Sequence, residues 1–597
     1  MSLSGDIAAA AVGSKASERD ASPTTSLVEV LSCAGVAGVI FLVLGILSLE
    51  RGHPEEDAYI LFRYSDHVAQ GKGIVFNSMG PRAEGATDFL WMIMLSALDW
   101  LGMDVAVATV VLNALGAGLA AFVLAKVIVG AGLPPGLRRV WLVMATVMVP
   151  FLSAAMAAYG CFSSMLYAGF IVFAVHTALV GSARALLWLP AMALALGLFR
   201  PDGVIIATGT VVLGLIRARS LGILPRLLVG LAVAGVCGGV YYVWRYSYFG
   251  LPLPLPLYVK SRIGDIDKLA QMPEAVRSLA RAMPGLGANL HWLVIGGVIG
   301  SGLVCLVTGW LLYRSERSLP KLAMRALGAL PFAMLLGSLT FAYQTQNFQW
   351  RFQGPIQLGV LYFAVRGLAA VTRRGLLNPL VGTGMLLVSV AMAMHSGVTS
   401  IGYHLDPMRG GYLNVFAARF GATLKPETRV ALTEAGRFPF WSPAQVLDTI
   451  GLNSPEAAVR PVTSKMLAEF NPDVLLFHTT SAINVNSLYK GETMVRIDGF
   501  SKYVEEPYKE AFQKDYSNYD EFPFSSVKLP SLVMAHYVEQ NLDKYEIAVV
   551  DAGYNSNEYT NILAVRKELA EKAFAELKAS GRPEAQASYF ALAAQYR

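Results

Sequence analysis

The chain has 597 residues, of which 54% are hydrophobic and 15% charged, with a formal net charge of +6 and a mean hydropathy of +0.48. Soluble proteins carry about 25% charged residues, so an ordinary soluble enzyme is excluded, and basic clusters separated by apolar runs are a poor footprint for nucleic acid. The four cysteines, Cys33, Cys161, Cys237 and Cys305, stand within or at the ends of apolar segments and form no Cys-x-x-Cys or Cys/His metal spacing, which argues against a disulfide framework.

A bilayer core about 30 Å thick needs roughly 20 apolar residues per helical span. After a cytoplasmic tail, 1–29, apolar runs near 30–49, 105–129, 140–157, 162–180, 186–199, 203–216, 227–248, 290–313, 326–343, 354–371 and 377–398 predict eleven spans within a membrane domain over 30–399. A shorter run, 88–101, predicts an amphipathic helix lying at the outer interface. The basic residues set the orientation. Lys15, Arg19, Arg138, Arg139, Arg184, Arg217, Arg219, Arg226, Arg314, Arg317, Lys321, Arg325, Arg373 and Arg374 fall on one side only if the N-terminus is inside and 88–101 does not cross. This leaves external loops at 50–104 and 249–289, with shorter external turns at 158–161, 200–203 and 344–353. From about residue 400, short apolar runs such as Val474–Phe477 and Ile547–Val550 alternate with polar loops, and an Ala/Glu/Lys-rich helix follows Arg566. The fold class is therefore an α-helical polytopic membrane protein with a C-terminal extracytoplasmic α/β domain over 400–597.

The first external loop opens on Glu55-Glu56-Asp57-Ala58-Tyr59. Consecutive carboxylates just after a span suit a general base, although by themselves they also read as a solvated acidic loop. Arg63-Tyr64, Gly71-Lys72-Gly73, Phe76-Asn77 and Glu84-Gly85-Ala86-Thr87-Asp88-Phe89-Leu90-Trp91 follow. Sugars stack on Trp and Tyr faces and hydrogen-bond to acids and amides, so such a loop suits an amphipathic sugar substrate. His67 and His404 read as ordinary polar-surface residues.

These first-loop elements resemble the first loop of GT-C membrane glycosyltransferases, and most closely the terminal arabinofuranosyltransferases of mycobacterial cell-wall synthesis. Further along, Arg200-Pro201-Asp202-Gly203 is similar to that family's Arg-Pro-acid-Gly turn. The segment Tyr248-Phe249-Gly250-Leu251-Pro252-Leu253-Pro254, ending in Tyr258-Val259-Lys260, resembles its proline-rich loop. Thr433-Glu434-Ala435-Gly436 and Asp448-Thr449-Ile450-Gly451-Leu452-Asn453 resemble two motifs of its soluble domain. The chain departs from the pattern at Leu255-Pro256, where Asn-Thr is usual, at Glu56-Asp57 in place of Asp-Asp, and at Tyr159–Ser164, which lacks a glutamate.

The resemblance implies a cavity at the outer face of a bacterial plasma (inner) membrane, entered from the side by a polyprenyl-phosphate sugar. The acceptor is a glycan or glycoconjugate, membrane lipids surround the site, and nucleic acid is not a partner. The sugar arrives activated, so no nucleotide is needed; no cofactor is certain, and a divalent cation is compatible with the chemistry. Asp57 is then the base that takes the acceptor proton, with Glu56 as helper or sugar ligand. An anionic leaving phosphate calls for cations, and Lys260, Arg351, Arg63 and Arg200 are the candidates, with Arg262 beside them. Tyr59, Asn77, Glu84, Thr87, Trp91, Asp202, Tyr258 and Glu434 are the candidate sugar or acceptor ligands. Two other readings compete. A transporter or flippase of a lipid-linked glycan would place ionisable residues within its spans and show internal repeats, whereas here they cluster in loops. A membrane-anchored glycan-binding scaffold would need fewer spans than eleven.

Overall fold

A computed structural model of the chain describes residues 23–597 except 263–272, 274, 276–277, 280–281, 296, 317–325, 345–346, 407–410, 479–481, 486–487, 489–493, 514–527, 551–560 and 582–586. Among the described residues seven helices are long and apolar enough to cross a membrane: Ser26–Arg51, Val105–Val129, Gly203–Ser220, Leu224–Phe249, Val298–Ser315, Phe348–Arg373 and Pro379–His404. An eighth candidate is bent by 44° between Pro135–Phe151 and Ser153–Tyr159, where Pro150 withholds a backbone N–H and interrupts the ladder. Three further predicted runs lie on shorter apolar helices, Ser164–Val180, Ala183–Phe199 and Leu330–Thr340. Pro190 and Pro331 stand at the helix starts Leu189–Phe199 and Leu330–Thr340, where proline begins a helix but cannot extend one backwards. The run 290–313 is divided into Leu286–Ile295 and Val298–Glu316, with Gly297 between them at φ +66°. The protein is a multi-pass membrane protein.

Small residues let the first spans pack closely. A Cβ on Gly45 would lie 2.5 Å from a Val110 methyl, and one on Gly116 would lie 2.3 Å from the Leu166 Cα. Close backbone approach is how helices associate where no hydrophobic gain separates lipid from protein.

The C-terminal part carries a six-stranded mixed sheet in the order β2-β1-β3-β6-β5-β4. The strands are β1 (Arg429–Leu432), β2 (Gln445–Asp448), β3 (Val474–His478), β4 (Met494–Ile497), β5 (Tyr545–Val550) and β6 (Asn561–Arg566). β1 runs parallel to both β2 and β3, while β3, β6, β5 and β4 pair antiparallel. Buried aliphatic residues on both faces of β3 and β6, such as Leu475, Leu476, Leu563 and Ala564, fix them in the middle of the sheet. The carboxyl ends of the three parallel strands carry Glu434, Asp448 and His478 within two residues, and this end of the sheet meets the first loop.

Candidate active site

The first loop folds as a helix, Glu56–Ala69, with Glu56 and Asp57 in its first turn, where negative charge is favoured by the helix dipole. Its two leading carboxylates are held by different parts of the molecule. Glu56 accepts from the backbone N–H groups of Gly436 at 2.6 Å and Arg437 at 3.1 Å, and pairs with Arg437 Nε at 2.8 Å. Arg437 also reaches Glu434 at 3.5 Å, and Glu434 receives His478 Nε2 at 3.1 Å. Burial, against the pull of Arg437, raises the Glu56 carboxyl to about 7, with Glu434 adding to the rise. Glu434 is also pushed up by burial, but His478 and Arg437 overcome this and bring it to about 2. The resulting order is Glu56, Arg437, Glu434, His478, a buried chain of alternating charge between helix and sheet.

Asp57 belongs to a second cluster. Its Oδ2 accepts from Arg351 Nη2 at 2.9 Å, with the two side chains 22% and 8% exposed. The Arg351 guanidinium lies 4.2 Å from the Phe162 ring and 5.1 Å from the Phe352 ring. The same Phe352 ring lies 5.6 Å from the Arg200 guanidinium. Arg200 forks onto Asp202 at 3.0 and 3.3 Å and reaches Asp88 at 3.6 Å. Asp88 in turn accepts from Ser163 Oγ at 2.7 Å, and Thr87 Oγ1 donates to its other oxygen at 3.3 Å. Arg200 is thus bracketed by two carboxylates. Arg351 has one carboxylate on one nitrogen, and its buried Nε has no hydrogen-bond partner among the described residues. Leaving a buried donor unmade costs about 1–3 kcal/mol, more for a charged group, so an arriving anion has a contact waiting for it.

The backbone is strained beside this pair. Gln349 and Trp350 adopt φ of 48° and 58°, and Cys161 adopts 70°, a left-handed conformation that costs a non-glycine residue roughly 1–2 kcal/mol. Each strained segment leads directly into a residue of the cluster, Arg351 or Phe162. An amide network offsets the strain. Asn347 Nδ2 donates to Gln353 Oε1 at 2.7 Å, Gln353 Nε2 donates to Asn289 Oδ1 at 2.9 Å, and the Phe352 N–H donates to Asn347 Oδ1 at 3.2 Å. Gly160 is needed next to Cys161, because a Cβ there would stand 2.7 Å from Glu55 Cγ.

Several residues read as ligands make their contacts within the protein. Arg63 is 3% exposed and donates to the carbonyls of Phe76 at 2.6 Å, Ser442 at 2.8 Å, Ala444 at 3.2 Å, and also Pro439, so its fork is taken up by backbone. Asn77 pairs with both backbone groups of Val446, at 2.8 and 3.0 Å, and so extends edge strand β2. Glu84 is bound through both oxygens by Arg245, whose Nε donates to Oε1 at 2.7 Å and whose Nη2 donates to Oε2. Tyr59 is fully buried among Phe62, Phe440, Trp441 and Tyr589, and Trp91 is fully buried against Phe199, so neither ring offers a face to a sugar. Glu56 and Glu434 are taken up by the charge chain. His67 and His404 are buried, not on the polar surface: His67 Nδ1 lies 2.9 Å from the Val75 carbonyl, and His404 sits among Tyr159, Phe348 and Tyr403. Burial, with nearby Arg63, lowers His67 to about 4. Tyr258 is half-buried on the helix Leu255–Arg262, which packs on Pro455–Val459 of the soluble part; the side chains of Lys260 and Arg262 lie outside the described residues. Asp57, Arg351, Arg200, Asp202 and Thr87 are brought together.

The sequence reading missed Arg437, His478, Asp88, Ser163 and the amide network. Arg437 directly follows the Thr-Glu-Ala-Gly element and Asp88 ends the Glu-Gly-Ala-Thr element, so position next to a motif was the available signal. Among the described residues no group of three or more His, Cys, Asp or Glu converges to hold a metal ion.

A family model described as a domain of unknown function (DUF8728) matches residues 409–527. No match is found among curated proteins. Two solved structures of ArnT from Cupriavidus metallidurans are similar, each at 15% identity and a TM-score of 0.44. The apo structure is matched over 77% of this chain and 95% of that one, and the structure bound to undecaprenyl phosphate over 80% and 97%.

Proposed function

We propose that this protein is an inverting glycosyltransferase of the GT-C type. It moves a sugar, arabinofuranose by the likeness of its loops, from a polyprenyl phosphate to a glycan or glycoconjugate acceptor on the outer face of the membrane. The observation that carries this reading is the Asp57–Arg351 pair, with the buried Arg351 Nε left without a hydrogen-bond partner among the described residues.

In this reading Arg351 exchanges Asp57 for the donor phosphate, which takes its Nη2 and its idle Nε together, as a guanidinium fork binds a phosphate. Lys260 adds a second cation from the proline-rich loop. The exchange frees the Asp57 carboxylate beside the place where the C1–O bond will break. The acceptor hydroxyl attacks C1 from the face opposite the phosphate, its proton passes to Asp57, and polyprenyl phosphate leaves with the bonding electrons. Attack from the opposite face inverts C1. Phe162 and Phe352 keep water from the pair and so strengthen it. The turnover measurement is direct: purified protein incubated with a panel of synthetic prenyl-phosphate sugars and an acceptor glycan should release free prenyl phosphate and form a product of inverted anomeric configuration. Retained configuration, or no consumption of any member of the panel, rejects the proposal.

A further inference from the structure

A second group of cations lies at the other end of the helix bundle. Lys126 and Arg217 are in the last turns of Val105–Val129 and Gly203–Ser220. His176 is in the last turn and a half of Ser164–Val180, and Arg366 follows Gly354 by twelve residues, about 18 Å of helix. The starts of Gly203–Ser220, Ser164–Val180 and Gly354–Arg373 adjoin the Asp57–Arg351 and Arg200–Asp88 cluster, and Val105–Val129 runs beside Ser164–Val180 in the same direction, so the four residues mark the opposite membrane face. Arg366 Nη1 donates to the Tyr362 hydroxyl at 3.0 Å, and the same hydroxyl lies 3.1 Å from His176 Nδ1. The charge of Arg366 acts on both Arg217 and His176, and Lys126 acts on His176 as well.

Among the described residues no carboxylate pairs with these cations. Residues 105–201 and 317–405 contain no Asp or Glu, and 202–250 contain only Asp202, at the far end. At this membrane face Glu29 is already paired with Arg138 at 3.1 Å. Among the described residues Lys126, Arg217 and Arg366 make no salt bridge, and Arg217 Nε is buried without a hydrogen-bond partner. Ionisable groups at membrane depth are costly unless paired, and the partial negative charge of three helix ends is small against three full cations. Among the described residues nothing neutralises these cations, which leaves them open to an external anion.

We infer that Arg217, Arg366 and Lys126, with Tyr362, form a binding site for the phosphate headgroup of an anionic phospholipid in the leaflet opposite the Asp57–Arg351 pair. Basic pockets between membrane helices bind such headgroups. The Tyr362 hydroxyl is oriented by Arg366 and His176, and Arg217 supplies the open donor. The source is lipid in preference to free phosphate because the groups sit on helices long and apolar enough to be lipid-embedded, where acyl chains can accompany the headgroup.

The test uses the full chain purified in detergent and supplied with phosphatidylglycerol, phosphatidylcholine or inorganic phosphate. Native mass spectrometry counts retained lipid, and the melting temperature reports stabilisation. The parent should keep phosphatidylglycerol against excess phosphatidylcholine. The double variant Arg217→Gln/Arg366→Gln should lose affinity on the order of tenfold or more. The Arg217→Lys/Arg366→Lys variant keeps both charges and should keep the lipid, which separates loss of charge from loss of fold. Arg139→Gln, a change at an exposed cation nearby, should behave as the parent. Equal retention by parent and the Gln double variant overturns the site. Inorganic phosphate that stabilises as well as phosphatidylglycerol overturns its assignment to lipid.

Discussion

Glu56 and Asp57 are adjacent in the chain, yet Glu56 is bound by Arg437 of the C-terminal sheet region and Asp57 by Arg351, which precedes an apolar helix. One helical turn therefore joins the two halves of the molecule at the position where the base is proposed to act. Any movement of the sheet end that carries Glu434 and Arg437 shifts the backbone of Asp57 by way of its neighbour.

Gly436→Ala should disturb that joint. A Cβ at 436 would lie 1.9 Å from the Glu56 carbonyl oxygen, and overpacking of this kind costs roughly 1–3 kcal/mol. The variant should melt earlier, and hydrogen exchange should rise over 56–69 and 433–441. Affinity for prenyl phosphate should hold, because Arg351 is not touched. Unchanged exchange over both segments would show that the contact does not govern the joint.

The charge chain predicts a pH dependence. Glu56 is raised from 4.5 to about 7, so its contribution is complete below 4.5 and is lost as pH rises through 7. His478, desolvated by burial but drawn up by Glu434, also contributes below its unfolded value and loses that contribution as pH rises. Glu434, at about 2, acts in the other direction, but only as pH falls below 4.5. The Glu56 part of the stability should therefore decline between about pH 4.5 and 7, and Glu56→Gln should flatten that decline. Parallel melting curves for parent and Glu56→Gln across that range would refute it.

Much of the architecture was legible because it rests on composition. Long apolar runs locate helices, and short apolar runs between polar loops, such as Val474–Phe477 and Ile547–Val550, locate strands. The division at Gly297 and the bend at Pro150 are local backbone effects that a sum over apolar residues hides. The roles of the motif residues were not legible. Arg63, Asn77, Glu84 and Tyr59 stand in a loop rich in sugar-binding residue types, but the same types serve to bond one backbone to another. Asn77 looks like a sugar ligand until Val446, far along the chain, is seen to occupy it. The motifs mark where the two domains meet: Gly85 packs on Asn453, where a Cβ would lie 1.9 Å from its Oδ1. Arg351 was legible because an arginine beside Trp350 at the start of a span already reads as an interfacial cation.

Loss of a charged partner from a desolvated phosphate should cost on the order of 2–5 kcal/mol. Arg351→Ala and Lys260→Ala should both weaken binding of a prenyl phosphate that lacks sugar. A mimic with a neutral linker in place of phosphate should not distinguish them from the parent. Arg63→Gln should instead lower stability, since its donors hold backbone carbonyls, and it should leave phosphate affinity in the surviving folded protein unchanged. Calorimetric titration decides; unaltered prenyl-phosphate affinity in both Arg351 and Lys260 variants would move the site to Arg200.

Single cysteines on a cysteine-free background should report the topology. Ser78 and Lys465 are exposed on the first loop and the soluble domain, and Ser315 ends a span on the predicted inner side. Ser454, by contrast, is buried with its hydroxyl on the Asp448 N–H at 2.9 Å and is unsuited as a probe. Cysteines at 78 and 465 should react with an impermeant thiol reagent in intact spheroplasts, and one at 315 should not. The reverse pattern would invert the orientation.

The central claim is that Asp57 takes the acceptor proton while Arg351 holds the donor phosphate. The most direct measurement is single-turnover transfer by Asp57→Asn beside Glu56→Gln, with prenyl-phosphate affinity measured on the same preparations. General-base catalysis supplies about 10²–10⁴-fold, so Asp57→Asn should lose transfer by that order while binding prenyl phosphate at least as well as the parent, because Arg351 is released from its carboxylate. Glu56→Gln should lose less. Near-normal transfer by Asp57→Asn, or an inactive Glu56→Gln beside an active Asp57→Asn, would contradict the assignment.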